Sequence, residues 1–315
     1  MAKKTVYTLA SADGVSTLHA VRWLPETGKV KAVLQIVHGM VEYIERYTPF
    51  AEFLASLGWA VFGHDHIGHG ESVRGPEELG IMHAKDPSDI MVEDMFTNFR
   101  HIKEEYPDVP YFILGHSMGS YMLRKYLSVK ANELQGVNGA IIMGTGTEPD
   151  GTIKAGLAMA KFLAKVKGPD YRSSMMAGLT FGKPYKKYDL TGKDASNSWL
   201  TKDEAIVKKY YSDPKCTYMF SLNGYIGLIS STRFDNDPAN IARIPKDLPI
   251  LFISGDQDPV GNFGAGVKAA YEKFKAAGIR DVTIRLFEGD RHEVLNELDK
   301  ETVFAFLAAW MEERM

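Results

Sequence analysis

Six short stretches of this chain are mainly apolar along their whole length: residues 32–37, 59–63, 111–114, 137–143, 249–254 and 282–287. A strand with one face in water alternates apolar and polar residues, whereas a strand that stays apolar must be covered on both faces. Stretches of helical period lie between or after these runs, at residues 43–56, 88–106, 117–129, 263–277 and 298–312. Strands alternating with amphipathic helices predict an α/β fold, with a mostly parallel, doubly wound sheet and helices on both faces. In the first of these helices Tyr47, Phe50, Phe53, Leu54 and Leu57 fall on one side, and Gly58 stops it. The first ~30 residues read instead as two antiparallel strands with Asp13-Gly14 as their turn.

The alternation breaks once. From residue 145 to 245 the chain is rich in Lys, Tyr, Met, Ser and Gly and holds helical patches without a convincing buried strand. An interruption after the sixth strand predicts one α/β core formed by residues 1–144 and 246–315, carrying an inserted helical cap at 145–245. Within it, residues 153–167 form an amphipathic helix with Met159, Phe162, Leu163 and Val166 on one face and Lys154, Lys161 and Lys165 on another. The expected arrangement is a lid packing its apolar face over a substrate pocket. Transient contact with lipid surfaces is the second reading, since basic amphipathic helices can lie on anionic membrane. Met159, Met175, Met176, Met219, Tyr218 and Tyr225 could line a tunnel, but each is more often plain core and none is assigned a site role.

The 315 residues carry a net charge of −3, which gives no electrostatic case for nucleic acid. No run reaches ~18 apolar residues, as a membrane span would need. The basic N-terminal start is not followed by the apolar segment of a signal peptide. Cys216 is the one cysteine, so no disulfide can form within the chain, which fits a reducing compartment. The cytoplasm is the expected location.

Against that frame one pentapeptide carries chemistry. Gly115-His116-Ser117-Met118-Gly119 lies between the run 111–114 and a helical segment. A glycine-flanked serine in a sharp strand-to-helix turn exposes its hydroxyl above a parallel sheet, which makes Ser117 the candidate nucleophile. A serine hydroxyl attacks only if a base removes its proton. His292 is the histidine that follows the last strand, in Gly289-Asp290-Arg291-His292, and is the candidate base. The acid belongs to the loop Ser254-Gly255-Asp256-Gln257-Asp258-Pro259. Asp256 can serve the turn itself, and Asp258, further along, is placed to reach His292. An oxyanion hole would be completed by the backbone N–H of Met118 and, from the loop His38-Gly39-Met40, that of Met40.

These residues resemble the monoacylglycerol lipase and bacterial lysophospholipase-like branch of the α/β-hydrolases. The resemblance is carried by His38-Gly39-Met40 with Glu42 and Arg46-Tyr47, by the run 64–72, by the pentapeptide around Ser117, and by residues 255–260 and 291–297. It reaches into the cap at Ser198-Trp199-Leu200-Thr201 and Asp213-Pro214. It implies hydrolysis of a carboxylic ester of a lipid-like small molecule through an acyl-enzyme, without a cofactor. Ser120 departs from the family, which commonly has a second glycine there. Tighter packing without a change of mechanism is the expectation.

Other readings remain open on sequence. His64, Asp65, His66 and His69 could hold a metal for a metal-dependent hydrolase. A proline-aminopeptidase-like peptidase would share fold and triad, with Glu148, Asp150 or Asp189 holding a substrate amine. A non-catalytic binding protein is disfavoured by the joint presence of Ser117, Asp258 and His292.

Overall fold

The computed structural model describes residues 2–26 and 28–315. Strands β1 (Lys3–Ala10) and β2 (Thr17–Leu24) form an antiparallel hairpin. Its turn is tied by the Asp13 carboxylate, which accepts the N–H groups of Val15 and Ser16 at 2.8 and 2.7 Å, while Gly14 takes φ +78°. Then follow β3 (Ala32–Val37), α1 (Thr48–Ser56), β4 (Trp59–His64), α2 (Pro87–Glu105), β5 (Tyr111–His116), α3 (Met118–Val129) and β6 (Val137–Met143). The segment before β7 (Ile250–Gly255) is helical: α4 (Asp150–Lys167), α5 (Ser174–Thr180), α6 (Glu204–Ser212), α7 (Leu222–Asn236) and α8 (Pro238–Ile241). Helix α9 (Ala265–Ala276), β8 (Val282–Phe287) and α10 (Lys300–Glu312) complete the chain.

The eight strands make one sheet in the order β1-β2-β4-β3-β5-β6-β7-β8, with β2 antiparallel to β1 and β4 and the rest parallel. Register explains the apolar runs. Leu34 of β3 lies between Val61 of β4 and Phe112 of β5, so alternate residues of each strand feed two separate cores. On one face Leu34, Ile36, Val61 and Leu114 pack under Phe50 and Leu54 of α1 and Leu307 and Met311 of α10. On the other, Val33, Phe62, Ile113 and Ile142 pack under Met95, Tyr126 and Phe274 of α2, α3 and α9. Each such side chain contributes about 1.5–3 kcal/mol by burial. The fold is an α/β-hydrolase fold. Among the described residues no helix is long and apolar enough to cross a membrane.

Two expectations are corrected. Leu57 is exposed, because α1 ends at Ser56 and the chain has left helical geometry at Leu57. Helix α4 also turns a different face inward. Ile153, Leu157 and Ala160 are buried, with Leu163 and Ala164 partly so, whereas Met159, Phe162 and Val166 are 41, 63 and 60% exposed. Helix α4 packs against α7, and a Cβ built on Gly156 would stand 3.8 Å from Ile229 of that helix, an ordinary van der Waals distance. The bulkier apolar stripe is left outside.

Candidate active site

Strand β5 ends at His116 and α3 starts at Met118, so Ser117 alone makes the reversal, with φ 52° and ψ −121°. A non-glycine residue held there stores roughly 1–3 kcal/mol and persists only where its surroundings fix it. The Ser117 N–H donates to the Met143 carbonyl at 2.9 Å. A Cβ on Gly115 would lie 2.4 Å from the Gly119 carbonyl oxygen, and one on Gly119 would lie 2.1 Å from that of Val37. Neither position can carry a side chain without moving the turn. Ser120 is fully buried, and its hydroxyl donates to the Ser117 carbonyl at 2.6 Å. The extra oxygen is therefore used to fasten the same turn.

The loop after β3 lies directly against this serine. A Cβ on Gly39 would come within 2.9 Å of the Ser117 Cβ. The loop is fixed by its own side chains. The buried Glu42 carboxylate accepts the Gly39 N–H at 2.5 Å, and the His38 ring makes a 2.8 Å contact through Nδ1 with the Gly39 carbonyl. Because the His66 N–H donates to His38 Nε2 at 3.0 Å, the His38 proton sits on Nδ1. Burial pushes His38 down to about 3, which keeps it neutral. Met40 follows Gly39 in this loop, and Met118 opens α3, where first-turn N–H groups have no partner within the helix.

His292 reaches the site from the loop after β8. Its Nδ1 lies 3.0 Å from Asp258 Oδ2, and both residues are buried. Asp258 Oδ2 also accepts the Ser254 hydroxyl at 2.8 Å, and Oδ1 accepts the Val260 N–H at 2.8 Å. Burial alone would raise this carboxyl. The His292 charge and hydrogen bond, with those of Ser254 and Val260, hold it below the usual carboxylate range. Asp256 faces elsewhere and accepts the Gly289 N–H at 2.9 Å. A Cβ on Gly144 would stand 3.0 Å from His292 Cε1, one residue past the carbonyl that holds Ser117. Ser117 and His292 thus both lie beside the end of β6.

Several residues of the resembling motifs join in a buried cluster around this centre. Glu42 also accepts the Tyr47 hydroxyl at 2.9 Å and His116 Nδ1 at 3.0 Å, and Arg46 bridges it to Glu293 with three contacts of 2.7–2.8 Å. Burial would lower His116, but the Glu42 hydrogen bond and charge raise it. Burial would raise Glu293, yet Arg46 holds it low. His116 points away from Ser117 into this cluster, as its neighbouring position suggests, but its ring also packs 4.6 Å from that of His292. On sequence Glu42 and Arg46-Tyr47 help to carry the family resemblance, which does not say what they contact. Their partner Glu293 lies 247 residues beyond Arg46.

The histidine run does a different job from the one a metal site would require. His66 Nε2 contacts the His38 carbonyl, His69 Nδ1 the Ile67 carbonyl, and His64 Nδ1 the Asn98 amide. Asp65 accepts the N–H groups of Ile44 and Glu71, and burial raises it to about 7. Among the described residues no three of His, Cys, Asp or Glu are grouped so that they could hold a metal ion. The metal-dependent reading of His64, Asp65, His66 and His69 is therefore corrected to a loop-holding role. Of the cap carboxylates, Asp189 is engaged by Thr191 and Asp194 in its own turn, and Glu148 and Asp150 are exposed.

The family described as "Serine aminopeptidase, S33" matches residues 28–299. The chain is 28% identical to human "Monoglyceride lipase" over 97% of its own length and 90% of the relative's. It is 27% identical to the "Monoacylglycerol lipase" of Mycolicibacterium smegmatis, covering 98% of this chain and 97% of that one. The structure of a carboxyl esterase from Bacillus coagulans in complex with glycerol superposes with a TM-score of 0.86 at 26% identity, covering 98% of this chain and 99% of that one. The strand-to-helix turn at Ser117 and full-length likeness to lipases and an esterase lead to one conclusion: the chain belongs to the serine aminopeptidase S33 family of α/β-hydrolases and is a carboxylic ester hydrolase.

Proposed function

We propose that Ser117, His292 and Asp258 act as a catalytic triad on the acyl esters of lipid-like small molecules. The observation that carries this is the 3.0 Å contact of His292 with the doubly anchored Asp258, beside a serine at positive φ. Ser117 attacks the ester carbonyl while His292 Nε2 takes its proton. Asp258 holds Nδ1–H and stabilises the imidazolium, remaining ionised throughout. The N–H groups of Met40 and Met118 receive the developing oxyanion, and each such donor is worth ~3–4 kcal/mol in the transition state. His292 then protonates the leaving alcohol and activates a water that releases the acid from Ser117. Residues 1–144 and 246–315 supply this chemistry, and residues 145–245 form the cap that shapes the acyl site.

Monoacylglycerols lead the candidate substrates because relatives of near-equal length carry that name. Lysophospholipids and short or medium acyl esters follow. A chain-length series of nitrophenyl esters beside monoacylglycerols and lysophospholipids tests this directly. Turnover of monoacylglycerol that vanishes in Ser117→Ala supports the reading, and undiminished turnover in that variant contradicts it.

The family description raises the peptidase reading, in which a cap carboxylate would hold a free amine. Asp189 is committed to its own turn, which favours the ester. Rates on an ester and an amide of the same acyl group separate the two. The outward stripe Met159, Phe162 and Val166, flanked by exposed Lys161 and Lys165, supports transient contact of the cap with lipid surfaces.

A further inference from the structure

The base is held from the cap as well as from the sheet. The His292 N–H donates to the Trp199 carbonyl at 3.3 Å, and the next N–H, that of Glu293, donates to the Leu200 carbonyl at 2.7 Å. The Trp199 indole stacks on the His292 imidazole, with centroids 5.0 Å apart and planes at 30°. Tyr185 meets the same indole edge-on at 5.3 Å, and Phe181 packs at 5.9 Å. The strap carrying Trp199 is fastened by the Arg291 guanidinium, which donates to the carbonyls of Ser196, Ser198 and Thr201.

We propose that Trp199 is a positioning residue for His292, fixing the plane of the imidazole and favouring its protonated form during acyl transfer. This rests on the triad reading above. The groups that face His292 are Asp258 from the loop after β7 and His116 from the end of β5, with Glu42, Arg46 and Glu293 behind His116. His116 contacts the His292 carbonyl through Nε2 at 3.3 Å and Glu42 through Nδ1, so it is set up to keep a proton of its own. When His292 accepts the serine proton, one face of its ring meets that charged neighbour. The electron-rich indole lies along the ring as well and attracts the new charge. That attraction exists only while the base is protonated, so it acts on the transition state and not on bound substrate.

The test uses Trp199→Leu and the conservative Trp199→Phe, assayed on a short-chain nitrophenyl ester across pH, with intact folding checked by thermal melting. Removing the indole is expected to lower kcat by about threefold to thirtyfold in Trp199→Leu, with an intermediate loss in Trp199→Phe. KM should change little. The acid limb of kcat/KM should move to lower pH by about half a unit to one unit, because a less stabilised imidazolium gives up its proton sooner. An acid limb that stays put in Trp199→Leu overturns the proposal whatever happens to KM. His292→Ala is measured alongside. Full activity there would sink the triad reading itself, whereas abolished activity there with an unmoved limb in the Trp199 variants sinks only the role of the indole.

Discussion

Helices α3 and α4 are both amphipathic by sequence and both carry basic residues, yet they end in opposite surroundings. Every residue of α3 from Met118 to Ser128 is buried, including Arg124 and Lys125. Lys125 finds Ser88 and Asp89, and Arg124 donates to the carbonyls of Gly146 and Asp235. In α4 only Ile153, Leu157 and Ala160 are buried, and its bulkiest apolar stripe faces outward. The contrast separates two tasks. Around Ser117 the geometry is specified by buried, partnered polar groups, whereas the outer face of α4 stays exposed.

The sharpest way to break this division is at the acid. Asp258→Asn is expected to lower kcat by about 10³–10⁴-fold, since an amide can leave His292 in the wrong tautomer. Asp256→Asn keeps an oxygen that can accept from Gly289 and Gln257, lies outside the contact to His292, and should cost far less. A steady-state comparison of the two decides it, and the reverse ranking would reassign the acid.

Next comes the loop that presents Met40. Glu42→Gln removes the charge that joins the Gly39 N–H, His116 and Arg46, and it leaves Arg46 and Glu293 to re-pair. A loss of about tenfold to hundredfold in kcat is expected from a displaced oxyanion donor. A change confined to KM would argue that the loop does not need this tether.

Gly119→Ala probes the turn itself. Its Cβ would press on the Val37 carbonyl, and a loss of about 1–3 kcal/mol in a denaturant melt is expected. A stability equal to that of the parent would show that the turn has room to relax.

Smaller still is the effect of pH through His116. Its folded value is raised above 6.5, so its contribution to stability is fully present below that pH and is lost as pH rises through the folded value. A melting-temperature profile of His116→Gln should lack this alkaline decline. A decline of undiminished slope would assign it to another group.

The least effect on the fold is expected in the cap. Phe162→Ser should alter stability by less than about 0.5 kcal/mol, as for exposed sites generally. It should nonetheless weaken retention on anionic vesicles measured by flotation. Equal flotation of variant and parent would remove lipid contact from the role of α4.

What the sequence made legible follows from the same contrast. Burial on both faces forces apolar strands, so Leu34, Phe62 and Ile142 announce their positions by composition alone. The turn at Ser117 is legible because a sharp strand-to-helix reversal needs Gly115 and Gly119 at fixed spacing. The partners of Glu42 were not legible. Arg46 is local, but Glu293 is brought in only by the closure of the sheet. Helix α4 shows a different limit, because periodicity finds an apolar face but not what covers it. The face holding Ile153, Leu157 and Ala160 is buried, and Phe162, expected to pack inward over a pocket, is exposed. Trp199 stood in a recognisable run, yet nothing local says that its ring would lie on His292.

With His292 as its base, Ser117 should accept a covalent acyl group. Intact-protein mass spectrometry after exposure to a fluorophosphonate, followed by peptide mapping, reads this out. One adduct per chain is expected on the peptide holding Ser117, none in Ser117→Ala, and strongly slowed labelling in His292→Ala. An adduct on another residue, or equal labelling of Ser117→Ala, would contradict it.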